Sequence, residues 1–105
     1  MPGPVVLTVV FHPVADAHDA VVAALSAGIA EIHDEEGCEL YAIHDAPDGT
    51  IVMLEKWSSA AHLDAHAAGE RVARMDATLE GLLASPAEIT RLAPIPAGTP
   101  RQGRL

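Results

Sequence analysis

Glu36-Gly37-Cys38-Glu39-Leu40-Tyr41, a break at Ala46-Pro47-Asp48-Gly49, then Leu54-Glu55-Lys56-Trp57 and Leu63-Asp64-Ala65-His66 is the stretch that decides the fold. Residues 38–44 and 50–57 are rich in residues that suit strands. The Ala-Pro-Asp-Gly break is turn chemistry, so the two strands should form an antiparallel hairpin. Ser58 or Ser59 is placed to cap a short helix that runs to about residue 66. A hairpin therefore feeds a helix that carries a histidine.

Outward from this hairpin, residues 4–11 are mostly β-branched and read as a buried strand, ended by His12-Pro13. Asp16 is placed to cap the next helix. There Val22, Leu25, Ile29 and Ile32 recur at three- and four-residue steps and make one apolar stripe. Gly28 weakens that helix by roughly 1 kcal/mol against alanine. After His66, Gly69 interrupts. A second helical piece follows, with Val72, Met75, Leu79, Leu82 and Leu83 on one face, stopped by Pro86. Residues 88–95 read as a last strand and residues 96–105 as an irregular tail. The order is β-α-β-β-α-β, an α+β, ferredoxin-like arrangement in one domain spanning residues 1–105. Helices on one face leave the other face of the sheet bare and apolar, which calls for a partner, most simply a second copy.

The composition narrows the function. With 105 residues and 50% hydrophobic content, the chain can bury a single core. Its aromatics are Phe11, Tyr41 and Trp57, so any aromatic near a pocket is notable. A net charge of −9 opposes binding to nucleic acid or anionic lipid. A lone Cys38 excludes an internal disulfide and a cysteine-based zinc site. The apolar run Val5–Phe11 is too short to span a bilayer and no basic segment precedes it. A soluble cytoplasmic protein without signal peptide or membrane partner is expected.

The order Gly37-Cys38, Glu55-Lys56-Trp57 and His66 resembles the antibiotic biosynthesis monooxygenase family, the quinol-monooxygenase-like domains. The resemblance covers nearly the whole chain. It implies a homodimer joined sheet to sheet as a dimeric α/β barrel. It also implies oxidation of a quinol or polycyclic phenol by dioxygen with no metal or flavin cofactor. One branch of this fold degrades haem with an asparagine on the first strand, a tryptophan on the helix and a later histidine. Here the first strand has no asparagine, and His66 and Asp76 stand near the other two places, so that activity is set aside.

Under this resemblance His66 is the catalytic base. It shares a helix face with Leu63, and partial burial would keep its imidazole neutral and able to accept a proton. The plainer reading is a partly exposed helix-end histidine that caps carbonyls or packs. Trp57 could wall a flat aromatic substrate or simply cover the end of the sheet. Tyr41 could hold a substrate oxygen or lie in a dimer interface; simple alternation puts it opposite Cys38, Leu40 and Ala42. Glu55 shares the face of Ile51, Met53 and Trp57 and reads as structural, with Arg91, a backbone group or a neighbouring strand as its partner. Cys38 has no adjacent cation to activate it.

His62 and His66 have the i, i+4 spacing of a metal-binding helix. Leu63 stands where a zincin would carry its glutamate, and no third ligand is evident, so no metal is expected. His18 continues the stripe of the first helix and could reach a pocket mouth, or could be an exposed first-turn residue. Two other functions stay open. One is an isomerase of a small oxygenated carbonyl compound, for which Arg71 and Arg74 are the nearest cations. The other is a non-catalytic dimer that binds an aromatic metabolite.

Overall fold

The computed structural model describes residues 3–105, in the order β1 (Val5–Phe11), α1 (His18–Ile32), β2 (Cys38–Asp45), β3 (Ile51–Trp57), α2 (Ala60–Ala67), α3 (Glu70–Leu79) and β4 (Glu88–Leu92). The strands form one sheet in the order β2-β3-β1-β4, every neighbouring pair antiparallel. This is the α+β, ferredoxin-like fold, with α2 and α3 together filling the place of its second helix.

The turn of the β2–β3 hairpin is held by its own residues. Asp48 Oδ1 accepts from the Thr50 N–H at 3.0 Å and the Thr50 hydroxyl at 2.6 Å. These bonds hold the Asp48 carboxyl below the usual carboxylate range. Gly49 takes the left-handed φ of 87° that the turn requires.

Strand register divides the sheet into two faces. One carries Leu7, Val9 and Phe11 of β1 with Ile51, Met53, Glu55 and Trp57 of β3. On this face lie the helices, whose Val21, Leu25, Ile32, Leu63, Met75 and Leu79 complete the core. The other face carries Val6, Thr8 and Val10 against Lys56, Leu54 and Val52, with Leu40 and Ala42 beside them. All five residues of β4 are exposed, because the helices cover only the first three strands.

Several boundaries differ from the sequence reading, each for a local reason. Asp16 does not cap α1. It sits at a left-handed φ of 64°, a conformation that aspartate tolerates, and α1 begins after Ala17 with no side-chain cap. The buried stripe of α1 is Val21, Ala24, Leu25 and Ile32, with Val22 and Ile29 at its half-buried border. α3 ends at Leu79, and Gly81 at φ 81° turns the chain, so Leu82 and Leu83 follow the helix rather than extend it. β4 stops at Leu92, three residues early.

At the start of β2 a register shift between Cys38 and Leu40 inserts Glu39 as a bulge. Cys38 thereby pairs with Trp57 and packs against the core, on the side of Tyr41 rather than opposite it.

Gly28 has a use that helix propensity does not show. A Cβ there would meet the Met75 tip, Cε, at 2.5 Å but the Met75 Cβ only at 3.6 Å, so the glycine leaves room for the methionine side chain between α1 and α3. Among the described residues no helix is long and apolar enough to cross a membrane.

Candidate active site

The short helix α2 is set in place at its first turn. Ser59 is the N-cap, and its Oγ accepts from the His62 N–H at 3.2 Å. Gly37, at φ 83°, lies directly against the His62 ring, where a Cβ would be 2.4 Å from Cγ. The Gly37 carbonyl also accepts from the Ser58 N–H at 2.9 Å, which ties the start of β2 to the end of β3. Held this way, α2 turns Leu63 and His66 inward, where they are 2% and 4% exposed.

His66 is therefore a buried residue, not the partly exposed helix end that the sequence led us to expect. Its ring lies over Trp57, with centroids 4.4 Å apart and planes inclined by 31°. Tyr41 meets it edge-on at 5.4 Å. His66 Nδ1 is 3.1 Å from Glu35 Oε1. A carboxylate only accepts, so Nδ1 carries the hydrogen and donates it, and in the neutral ring the lone pair is then on Nε2. Nε2 has no partner among the described residues, and none of their sealed side-chain polar atoms lacks one, so this nitrogen is open.

It opens on a cavity of about 410 Å³ between the sheet and the helices α2 and α3. Val9, Met53, Leu63 and Val72 supply apolar wall, and Tyr41, Glu55, His66, Asp76 and Arg91 supply the polar groups. The mouth runs along uncovered β4, where Ile89 is 65% exposed. There Arg91 reaches across to α2 and donates to Asp64 Oδ1 at 2.6 Å. A wider depression of about 600 Å³ adjoins the cavity past Phe11, Asp76 and Ala87, but it contains neither the histidine nor the tyrosine.

The sequence candidates come together, with different parts to play. Tyr41 lines the cavity and is 5% exposed. Burial, reinforced by the Glu55 and Glu35 charges, pushes its phenol far above the usual tyrosine range, so its hydroxyl is a donor and not a base. Trp57 is fully enclosed and does not line the cavity. It stands behind the site, stacked on His66, with Nε1–H donated to Glu55 Oε1 at 3.0 Å. Glu55, 3% exposed, thus has Trp57 as its partner and not Arg91. Burial raises its carboxyl above the ordinary value, against the lowering effects of the Trp57 N–H and of His66.

Burial likewise pushes the Cys38 thiol up, away from nucleophilic use. His62 turns from His66 toward Ser58, Ser59 and Glu36. Among the described residues no three His, Cys, Asp or Glu side chains are grouped to hold a metal ion. His18 lies outside the cavity, between the carboxylates of Asp19 and Asp45, which raise its pKa. Arg71 and Arg74 do not line the cavity. Arg71 approaches Glu35 at 4.0 Å, and Arg74 pairs with Glu31 and Glu70.

Glu35 was not anticipated. In sequence it is the middle of an acidic run, Asp34-Glu35-Glu36, that reads as a solvated loop. Its position just before the Gly37 turn is the signal that could have found it.

The antibiotic biosynthesis monooxygenase family profile matches residues 4–78. Rv0793 of Mycobacterium tuberculosis, which carries a provisional monooxygenase name, is 33% identical over 96 residues, 90% of this chain and 95% of that protein. Its solved structure superposes with a TM-score of 0.84 at 32% identity, covering 92% of this chain and all of that one. PA3566 of Pseudomonas aeruginosa superposes at 0.77 with 28% identity, over 86% of this chain and 92% of its own. A Caulobacter crescentus protein with a provisional antibiotic biosynthesis monooxygenase name shares the fold, at a TM-score of 0.81 and 17% identity, over 87% of this chain and 89% of that one. These matches support a monooxygenase-type function, and the chain belongs to the antibiotic biosynthesis monooxygenase family.

Proposed function

We propose that this protein is a cofactor-independent monooxygenase that oxidises a quinol or polycyclic phenol with dioxygen. The observation that carries the reading is His66: a buried imidazole, tethered at Nδ1 by Glu35 and open at Nε2 to an apolar cavity. A flat aromatic suits such walls. His66 Nε2 removes the hydroxyl proton, and Glu35 stabilises the imidazolium that results. The phenolate is then electron-rich enough to reduce dioxygen itself. Tyr41 donates a hydrogen bond to a substrate oxygen, and Trp57 positions His66 from behind. The isomerase reading is less favoured, because the cation at the cavity, Arg91, is engaged by Asp64 rather than left for an anionic substrate.

The oxygen electrode, with a panel of quinols, anthrones and naphthols, tests this. The protein should consume oxygen with at least one class. Ligand-induced stabilisation without any oxygen uptake would instead identify a binding protein.

The unit that works is proposed to be a cytoplasmic homodimer. Val6, Val10, Leu40, Val52 and Leu54 lie on the sheet face that no helix covers, and a second copy applied there would close a dimeric α/β barrel. Sedimentation at micromolar concentration should give a dimer mass, and a stable monomer would contradict this.

A further inference from the structure

We propose that Glu55 is the acid of this site, handing a proton to the oxygen that departs when the O–O bond of an aromatic hydroperoxide breaks. This rests on the monooxygenase reading above.

Glu55 is placed as no structural carboxylate needs to be. It lies in mid-strand between Met53 and Trp57 on the core face, where an unpaired charge is costly. Among the described residues neither a lysine nor an arginine pairs with it, and the charge that favours its ionised form comes from His66. Arg91 is held by Asp64, and Lys56 points to the other face and pairs with Glu39. One carboxylate oxygen takes the Trp57 N–H. The other has no partner among the described residues and is not sealed, so it opens on the cavity that His66 also faces. The ionisable groups around it are Tyr41 and Cys38 from β2, Arg91 from β4, His66 from α2, Asp76 from α3 and Glu35 from the loop after α1. Burial makes the carboxyl hold its proton to higher pH than an ordinary glutamic acid, and Glu35 adds to this.

The substrate class is a phenol with a C–H para to its hydroxyl. His66 takes the hydroxyl proton. The para carbon of the phenolate gives one electron to dioxygen, and the two radicals join in a C–O bond. The peroxide anion takes the proton back from His66 and becomes a hydroperoxide, while the former hydroxyl carbon is now a ketone. Neutral His66 then removes the C–H proton at the peroxidised carbon. That electron pair forms a second C=O, the O–O bond breaks, and the distal oxygen leaves with the Glu55 proton as water. The phenol and one dioxygen become a quinone and one water. The proton on His66 returns to Glu55 and resets the pair.

Anthrone, whose enol is such a phenol, is the probe. Oxygen uptake, hydroperoxide and quinone are followed together for the parent, Glu55→Gln and Glu55→Asp. The glutamine keeps an acceptor for Trp57. In Glu55→Gln, quinone formation should fall about 100-fold or more while hydroperoxide accumulates against the oxygen taken up. Glu55→Asp should restore part of the quinone rate. A Glu55→Gln protein that makes quinone at the parent rate without hydroperoxide would overturn the proposal and leave the monooxygenase reading standing. A parent that consumes no oxygen with anthrone or any other phenol of this class would end both. Trp57, the lone tryptophan, gives a test free of turnover. Its fluorescence in the parent should show a pH transition above the ordinary carboxylate range that is missing in Glu55→Gln. No such transition in the parent would count against Glu55.

Discussion

Gly37→Ala should be among the most damaging small substitutions in the protein, although it adds one methyl group. Two costs combine. An L-residue at φ 83° is strained by about 1–2 kcal/mol. The new Cβ would also stand 2.4 Å from His62 Cγ, 2.6 Å from its Cβ and 2.8 Å from Nδ1. These atoms are the root of the ring rather than a flexible tip, so the backbone must move. Overpacking of this kind costs typically 1–3 kcal/mol. The sum is roughly 2–5 kcal/mol, a large part of the 5–15 kcal/mol that holds a typical domain. Urea unfolding followed by Trp57 fluorescence would measure it. The two costs can be separated with His62→Gly, which removes the Cβ as well as the ring. In that background Gly37→Ala should lose only the conformational cost, giving a coupling of about 1–3 kcal/mol. A Gly37→Ala protein within about 0.5 kcal/mol of the parent, or one equally destabilised in both backgrounds, would show that the contact does not hold α2 in place.

Three further outcomes are expected. His66→Ala should lower phenol oxidation about 10²–10⁴-fold and also cost roughly 2–4 kcal/mol of stability, because the ring is buried against Trp57; His62→Ala should change the rate far less. Glu35→Leu should lower kcat more than it changes KM, with Glu35→Gln intermediate because its amide oxygen can still accept from Nδ1, and equal rates for all three proteins in steady-state kinetics would remove Glu35 from the mechanism. Glu55→Gln should be more stable than the parent at pH 8, with the gap closing toward pH 4. The folded Glu55 binds its proton more tightly than the unfolded chain does, so its unfavourable contribution is absent below the unfolded pKa and grows as pH rises through the folded one. Urea midpoints across that range check the sign.

The hairpin was legible because Ala46-Pro47-Asp48-Gly49 has few uses other than a turn and lies between two runs rich in residues that suit strands. Ser59, one of two proposed caps, was found by its position before the helix. The α1 stripe is less legible because Val21 and Val22 are adjacent and alike and periodicity alone does not rank them, whereas in the fold Val21 is fully buried and Val22 lies at the border. Simple alternation puts Tyr41 and Cys38 on opposite faces, whereas a single extra residue, Glu39, resets the alternation without leaving a mark in the sequence. At the site, His66 and Tyr41 were legible as types in an order, whereas the depth of Trp57 was not. Glu35 and the Arg91–Asp64 pair depend on contacts between elements far apart in the chain, which local patterns do not encode.

The register of β3 has a consequence for how such a protein can change over generations. Ile51, Met53, Glu55 and Trp57 face the core and the cavity side, while Val52, Leu54 and Lys56 between them face the side that carries no helix. Two inheritable properties are thus written in alternating letters on one seven-residue strand. A point substitution edits one and spares the other, so the two faces can change separately. Inserting or deleting one residue in β3 would exchange the two texts, sending carboxylate and indole outward and lysine into the core. Along this strand, lineages should therefore accept replacements one position at a time within each set and almost never a change of length.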